Sequence, residues 1–310
     1  MTTESPAIKD LPVMGFFFSA FLSFLFGANT IAIKISLTEL GIFSTAAIRF
    51  SLGAVTILAW ALATRQPIAI RKGQIHQLAI LSVIFSVQLA LFYYGLSKTY
   101  ASRGTLLANM QPFFVLILAH IFIPGDRITG KKLTGMLLAF TGVAFVLLQR
   151  QGVSVELKTG DVIVLCAAFL WACNGVYTKK VLVDLQPYQV VLYPMLIASP
   201  LLFAGAWLTG ESIPSSLDVD VILAVMYQAF VTASFGFVAW NTMLKKYGAV
   251  AMHSFIFIMP VAGVLLGNRM LGEPITANLI VALLLIVTGI VIVNVRTRKD
   301  VVIVHPGRNV

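Results

Sequence analysis

Charged residues are scarce in this chain: Asp, Glu, Lys and Arg make up 11% of its 310 residues, and apolar types make up 59%. Soluble domains carry about 25% charged and about 45–50% apolar residues. This composition excludes a soluble fold and indicates an integral membrane protein. The two cysteines, Cys166 and Cys173, lie about 10 Å apart along one predicted helix, which is too far for a disulfide bond.

Acidic residues are missing from the apolar segments. All twelve Asp and Glu residues fall in predicted loops, tails or span ends. Proton-coupled carriers commonly relay the proton through buried Asp, Glu or His side chains. Here only His76, His120 and His253 remain for that role, and each lies near a predicted span end. We therefore expect facilitated diffusion or weak coupling.

Sequence motifs of enzymes are also missing. The chain has no His-Glu-x-x-His zinc pair, no Gly-x-Gly-Asp of intramembrane aspartyl proteases, no nucleophile elbow and no Gly-x-x-x-x-Gly-Lys phosphate loop. The basic residues form no single patch, which disfavours nucleic-acid binding. We expect neither an enzyme nor an ATP-driven pump, and no cofactor or metal ion.

Long apolar runs dominate what is present. A membrane-spanning helix needs roughly 20 apolar residues, and ten runs of about that length lie near 13–34, 43–64, 76–97, 102–123, 131–149, 160–180, 188–209, 220–243, 249–270 and 275–295. The first run is too long for a signal peptide and lacks a cleavage site, so we expect it to be a membrane helix. Most Lys and Arg residues fall in loops that are cytoplasmic if the amino terminus is inside, which predicts that both termini are cytoplasmic.

The two halves of the chain resemble each other at an offset of 145–148 residues. The paired segments are 26–34 with 171–179, 98–101 with 246–249, 125–129 with 272–276, and 141–142 with 288–289. Five spans per half is an odd number, so the second half enters the membrane from the opposite side. The sequence therefore predicts an all-α integral membrane protein with ten transmembrane helices in two inverted five-helix repeats. The first repeat is 1–150 (spans 1–5), and the second is 151–310 (spans 6–10 and a cytoplasmic tail). A short linker near 150–160 joins them into one interlocked transport unit.

Two prolines occupy equivalent positions in the middle of predicted spans, Pro112 in span four and Pro260 in span nine. Proline lacks an N–H group and clashes with the preceding turn, so it loosens a helix locally. Each proline alone is as consistent with a static kink as with a hinge. Their symmetric placement favours hinges.

Polar and aromatic residues inside spans are the candidates for substrate binding, because uncompensated polar groups in lipid are unfavourable. They are Asn29, Gln88, Tyr93, Tyr94, Asn109, Gln111, Trp171, Asn174, Tyr177, Tyr227, Trp240, Asn241, His253 and Phe257. Hydrogen bonding between helices and plain core packing are the alternatives. Arg49, a cation within span two, is expected to extend towards the outer surface rather than to bind a substrate carboxylate.

Several of these segments resemble the ten-helix EamA-type transporters of the drug/metabolite transporter superfamily. The resemblance covers 13–295 and rests on Asn29 to Lys34 with Asn174 to Lys179, Ile48-Arg49-Phe50, the span-ending Gly125-Asp126 and Gly272-Glu273 segments, and the two Thr-Gly pairs. Within that family the chain is most similar to the YddG-type exporters of aromatic and other hydrophobic amino acids. The resemblance implies export across a bacterial inner membrane through a cavity walled by helices 1, 3, 4, 6, 8 and 9.

We therefore expect a carrier that exports amino acids and related small metabolites by alternating access. Its partners would be the small-molecule substrate and the lipid bilayer, and it would act as a monomer or homodimer. A carrier of nucleotide sugars, polyamines or cationic drugs shares the fold and stays open. A membrane protein without transport activity also stays open.

Overall fold

The computed structural model describes residues 13–122, 128–147, 154–253, 256 and 258–294, and these ranges contain helices and no β-strand. The helices are α1 (Val13–Ser36), α2 (Ile42–Ala63), α3 (Lys72–Lys98), α4 (Ala101–Ala108), α5 (Gln111–Phe122), α6 (Gly130–Leu147), α7 (Val155–Val181), α8 (Gln189–Leu208), α9 (Val219–Met226), a π-helical segment (Tyr227–Gly236), α10 (Phe237–His253), α11 (Ile258–Leu271) and α12 (Ala277–Asn294).

Many of the helices are long and apolar enough to cross a membrane. Within the described ranges, seven qualify by themselves: α1, α2, α3, α6, α7, α8 and the continuous Val219–Lys246 stretch. Two shorter apolar helices, Ile258–Leu271 and Ala277–Val293, follow. The helices α4 and α5 together occupy the predicted fourth span. The chain is therefore an all-α, multi-pass membrane protein, as the sequence predicts.

Span four is interrupted rather than continuous. The helix α4 ends at Ala108, and α5 starts at Gln111 after a turn at Asn109 and Met110. Pro112 has no N–H to offer the carbonyl group of Ala108, four residues earlier, so the regular hydrogen-bond ladder is broken at that point. Within the turn, the amide N–H of Met110 bonds to the carbonyl of Leu107, three residues earlier, at 3.1 Å.

Two predicted span borders are wrong. The helix α7 begins at Val155, so part of the predicted linker is helical. The Ser154 hydroxyl accepts a 3.1 Å hydrogen bond from the N–H of Leu157, and Glu156 in the first turn offsets the helix dipole. The helix α10 continues to His253, so the predicted break before 249 is absent and α11 starts only at Ile258.

Helices of the two halves pack against each other in equivalent pairs. The helix α3 packs against α7, and α1 packs against α9 and the π-helical segment. These two contacts join span three to span six and span one to span eight. Spans one and six occupy equivalent positions in the two repeats, and so do spans three and eight. Each contact is therefore the counterpart of the other. The helices α2 and α8 pair, as do α6 and α12, and each of these pairs maps onto itself under the same exchange. The halves are therefore interlocked.

The α6–α12 contact shows the approximate two-fold relation at residue level. A Cβ atom added to Gly135 would lie 2.7 Å from the carbonyl oxygen of Gly289, and one added to Gly289 would lie 2.5 Å from that of Gly135. A Cβ atom on Gly142 would lie 3.0 Å from the carbonyl oxygen of Ala282. The offset of 147 residues pairs Gly142 with Gly289 and Gly135 with Ala282. The two close contacts are therefore images of each other, as an antiparallel pair requires.

Replacing Gly135 with valine should destabilise the protein, because the added side chain would collide with the α12 backbone. We expect a loss of about 1–3 kcal/mol in the free energy of unfolding, measured as a lower melting temperature in detergent. The matched control is Gly130→Val in the same helix, where an added Cβ meets no atom within 4 Å. Equal melting temperatures for the two variants would contradict the close packing.

Candidate functional site

A buried polar cluster lies where spans one, two and three of the first half meet span eight of the second. We call it the Arg49 cluster, and its members are Asn29, Ser36, Arg49, Tyr93, Gln228 and Thr232, each at most 8% exposed. Because buried polar groups need hydrogen-bond partners, side chains from separate helices must meet here for the bundle to close.

Arg49 occupies the centre of the cluster. One terminal nitrogen, Nη1, donates to the Tyr93 hydroxyl at 3.0 Å, and the other, Nη2, donates to the Thr232 hydroxyl at 3.0 Å. The guanidinium carbon also lies 4.8 Å from the ring centre of Phe50. Arg49 is 3% exposed, so the expectation that it extends to the surface is wrong. Neutral oxygens and an aromatic face hold it inside.

Further hydrogen bonds of the Arg49 cluster connect α3 and the π-helical segment to α1. The Tyr93 hydroxyl donates to Gln228 Oε1 at 3.1 Å. Gln228 Nε2 in turn donates to the carbonyl oxygen of Ala32 at 3.1 Å and to the Ser36 hydroxyl at 2.6 Å. The Thr232 hydroxyl lies 2.8 Å from Asn29 Oδ1. Both halves of the chain therefore contribute to the same polar network.

Gln228 and Thr232 belong to the π-helical segment. π-helical turns are rare and occur frequently at functional sites. Neither Gln228 nor Thr232 is among the residues predicted from the sequence, and the π-helix was not predicted. No local sequence signal distinguishes this segment from an ordinary α-helix.

A second polar group lies between α3, α5 and α7. Gln88 Oε1 and Asn174 Nδ2 are buried and have no hydrogen-bond partner among the described residues. The ring contact of Phe92 with Trp171, 5.8 Å between centroids, fixes the register of α3 against α7. Gln88 and Asn174 each lie about one turn from that contact, at the same level of the bundle. The Gln111 amide nitrogen approaches the neighbouring Gly175, 3.6 Å from the position of an added Cβ.

The structure places the predicted aromatic residues in different surroundings. The Trp240 ring packs edge-on against Phe26, 5.9 Å between centroids, and the Tyr227 hydroxyl donates to the carbonyl oxygen of Leu25 at 2.8 Å. Tyr177 is partly buried against the hydrophobic core. Tyr94, by contrast, is 40% exposed and lies beneath the Lys98 ammonium group, so it does not join the Arg49 cluster.

Two predicted residues bond to the backbone four residues earlier in the chain, and two others lie outside the described side chains. The side-chain amide of Asn109 donates to the carbonyl of Thr105, and that of Asn241 donates to the carbonyl of Phe237, both at 2.8 Å. The His253 side chain and Phe257 lie outside the described residues. Pro112 follows the break in span four, and Pro260 is buried in the first turn of α11.

Buried acidic groups tie the helices together at one end of the bundle, which we call the Asp161 end. The Asp161 carboxylate pairs with the Arg103 guanidinium, with Nε at 3.1 and 3.2 Å from the two oxygens, and accepts a 2.6 Å hydrogen bond from the Thr99 hydroxyl. The Glu273 carboxylate accepts from the N–H groups of Ala101 and Ser102, at 2.6 and 2.8 Å. The Arg103–Asp161 pair was not predicted from the sequence.

Glu273 acts as a cap supplied from elsewhere in the chain. The first N–H groups of α4 have no partner within the helix, and a carboxylate there also offsets the positive end of the helix dipole. Because Glu273 lies two residues after the end of α11, its two hydrogen bonds fix the end of span nine against the start of span four.

Comparison with known proteins identifies the family. A model of the EamA-like transporter family matches residues 13–148 and again 158–295. The chain belongs to the EamA-like transporter family. A protein of known crystal structure has the same fold, with a TM-score of 0.66 and 19% identity, over 89% of this chain and 94% of that one.

Relatives of this EamA-like chain are themselves named as transporters. It is 28% identical over 258 residues to the uncharacterized transporter YyaM of Bacillus subtilis (strain 168), covering 80% of this chain and 82% of the relative. It is 26% identical over 289 residues to a protein of Escherichia coli (strain K12) named a probable amino-acid metabolite efflux pump, covering 89% and 94%. The chain is therefore a multi-pass membrane transporter of the drug/metabolite transporter superfamily.

The Asp161 end provides a stability test. Replacing Asp161 with asparagine leaves the Arg103 cation buried without its carboxylate, which should destabilise the protein by about 3–5 kcal/mol. The control is Glu156→Gln, which removes the partner of Lys98 from a pair 2.9 Å long whose acidic side chain is 67% exposed. Exposed pairs contribute little, so the control should melt like the wild type. A wild-type melting temperature for Asp161→Asn would contradict the assigned role.

Proposed function

We propose that this EamA-like transporter exports amino acids, including aromatic and hydrophobic ones, and related small metabolites by alternating access. The observation that most directly supports this proposal is the Arg49 cluster, a polar site at the interface of two inverted halves. Transporters built from inverted repeats bind their substrates at such interfaces. The names of the relatives in Escherichia coli and in Salmonella typhimurium, probable amino-acid metabolite efflux pumps, support the substrate class and the direction. The similarity to YddG-type exporters belongs to this proposal.

In the proposed mechanism, residues 1–150 and 151–310 form the two repeats and exchange conformations during transport. Both termini lie in the cytoplasm of a bacterial cell, so the Asp161 end faces outwards. Pro112 and Pro260 allow spans four and nine to bend. The predicted polar and aromatic residues from Asn29 to Phe257 would contact the substrate in one or other conformation, and the break before Pro112 supports local bending of span four.

The two ends of the bundle differ in chemistry. The offset that pairs Ala101 with Ala249 also pairs Arg103 with Ala251, and the offset that pairs Asn29 with Asn174 pairs Phe16 with Asp161. The opposite end therefore has no equivalent of the Arg103–Asp161 pair. In this mechanism the pair closes the outer end and must separate before the substrate leaves.

Facilitated transport is the proposed energetic mode. The buried acidic side chains among the described residues are Asp161 and Glu273. Both are already engaged at the Asp161 end, one by Arg103 and the other by two backbone N–H groups. Neither lies in the Arg49 cluster, where a proton relay would have to meet the substrate.

Efflux from proteoliposomes tests the function. Vesicles containing the purified protein and a panel of labelled amino acids should release the aromatic and hydrophobic ones faster than protein-free vesicles do. A pH gradient should change the rate little and should not drive accumulation, because none of the six side chains of the Arg49 cluster is a carboxylate or an imidazole. No flux for any member of the panel would contradict the export proposal, and accumulation driven by the gradient would contradict facilitation.

The proline hinges can be tested in the same assay. Replacing Pro112 or Pro260 with alanine restores an N–H group and should slow efflux, because a continuous helix resists bending. The control is Pro200→Ala, since Pro200 lies in the uninterrupted helix α8 and should tolerate the change. Wild-type rates for both Pro112→Ala and Pro260→Ala would show that the prolines are static features.

A further inference from the structure

Arg49 is a buried cation without an acidic partner. It is 3% exposed, and its hydrogen-bond acceptors among the described residues are the neutral hydroxyls of Tyr93 and Thr232. No Asp or Glu side chain of the described ranges forms an ion pair with it. Arg103 provides a comparison within the same protein. It is 4% exposed, and it forms an ion pair with the Asp161 carboxylate.

The donor groups of Arg49 are also incompletely used. A guanidinium group carries five N–H donors in a planar fork that matches a carboxylate. The two terminal nitrogens each donate one hydrogen bond to a described residue. The Nε atom is buried and has no acceptor among the described side chains and backbone. An unsatisfied donor on a buried charge is unfavourable, and in a transporter such a group indicates the substrate pathway.

The neighbours of Arg49 hold the charge in place without neutralising it. The guanidinium carbon lies 4.8 Å from the Phe50 ring centre and 6.0 Å from that of Phe237. Aromatic faces and hydroxyl oxygens stabilise a cation partly, but the Arg49 cluster retains a full positive charge. A single positive charge is balanced by one monoanionic group. A cationic solute, such as a polyamine, would be repelled.

The location of Arg49 suits a substrate contact. Tyr93 lies on α3, while Thr232 belongs to the π-helical segment of the other half. Movement of one half against the other must therefore break or remake the bond from Arg49 to Thr232. A ligand that bonds to the guanidinium would take part directly in that rearrangement.

We propose that Arg49 binds the carboxylate group of the transported solute, with Tyr93 and Thr232 positioning the guanidinium. This inference rests on the proposed export function and narrows its substrates to solutes that carry a free carboxylate. Amino acids qualify, as do carboxylic acids of similar shape without an amine. The corresponding amides and amines do not.

A binding measurement in detergent tests the assignment without requiring transport. The probes are 3-phenylpropanoate and L-phenylalanine, each compared with its primary amide, which has nearly the same shape but lacks the negative charge of the carboxylate. The two carboxylates should raise the melting temperature of the full-length wild-type protein, and the two amides should not. If neither carboxylate stabilises the wild type, or if the amides stabilise it equally, the proposal is overturned.

Variants at Arg49 complete the test. Arg49→Gln should weaken binding of both carboxylates by about 10–100-fold, because a charge-assisted hydrogen bond is lost, and Arg49→Lys should retain part of the affinity. The control is Arg65→Gln, which removes the same charge from the exposed end beyond α2 and should bind like the wild type. Unchanged carboxylate affinity in folded Arg49→Gln would also overturn the proposal. If Arg49→Gln does not fold, the comparison of acids with amides and the Arg49→Lys variant decide.

The outcomes separate this inference from the export proposal. Carboxylates that bind the wild type through Arg49, in a protein that moves no amino acid in vesicles, would refute amino-acid export and leave the carboxylate site intact. Amino-acid efflux that is equally fast in the wild type and in Arg49→Gln would refute the Arg49 assignment and leave export intact.

Discussion

The structure depends on the requirement that polar groups within a lipid bilayer find their partners inside the protein. In this chain many of the partners come from the opposite half. Gln228 is held by the backbone of α1, Glu273 caps the start of α4, and Arg49 reaches the π-helical segment. Neither half could satisfy these groups alone. In the proposed mechanism, the contacts that hold the bundle together would also have to change when the two halves move.

The two buried arginines illustrate how one side-chain type takes two roles. Arg103 is paired with a carboxylate at one end of the bundle, where the pair fixes α4 against α7. Arg49 lies deeper in the bundle and has neutral neighbours. A paired charge stabilises one arrangement of helices, while an uncompensated one favours the binding of an anion. The Arg103–Asp161 pair therefore suits a contact that holds one end of the bundle closed and can separate. Arg49 suits a contact with the substrate.

Hydrophobic runs and internal duplication were enough to predict the fold class, because both are properties of the sequence itself. The break in span four could also be anticipated from Pro112. Proline alone is a poor guide, however, since Pro194 and Pro200 lie within the continuous helix α8. Whether a proline interrupts a helix depends on what its neighbours supply to the free carbonyl groups.

The site was harder to predict. Intramembrane polarity selected Asn29 and Tyr93, but it selected Tyr94 equally, although adjacent residues on a helix point in different directions. The partners of Arg49 come from α3 and from a π-helical segment more than 180 residues away in sequence. Spacing along one helix carries no information about such a meeting. The buried location of Arg103 was missed for the same reason, because Asp161 belongs to the other half.

Inverted topology of the two halves is the central claim, and site-specific labelling measures it directly. Gly130 begins α6, Ala277 begins α12, and the offset of 147 residues makes them equivalent and exposed positions. In a background with Cys166 and Cys173 replaced by alanine, a membrane-impermeant maleimide applied to intact cells should label Ala277→Cys. It should label Gly130→Cys only after the membrane is permeabilised. Labelling of both positions from the same side would contradict the account.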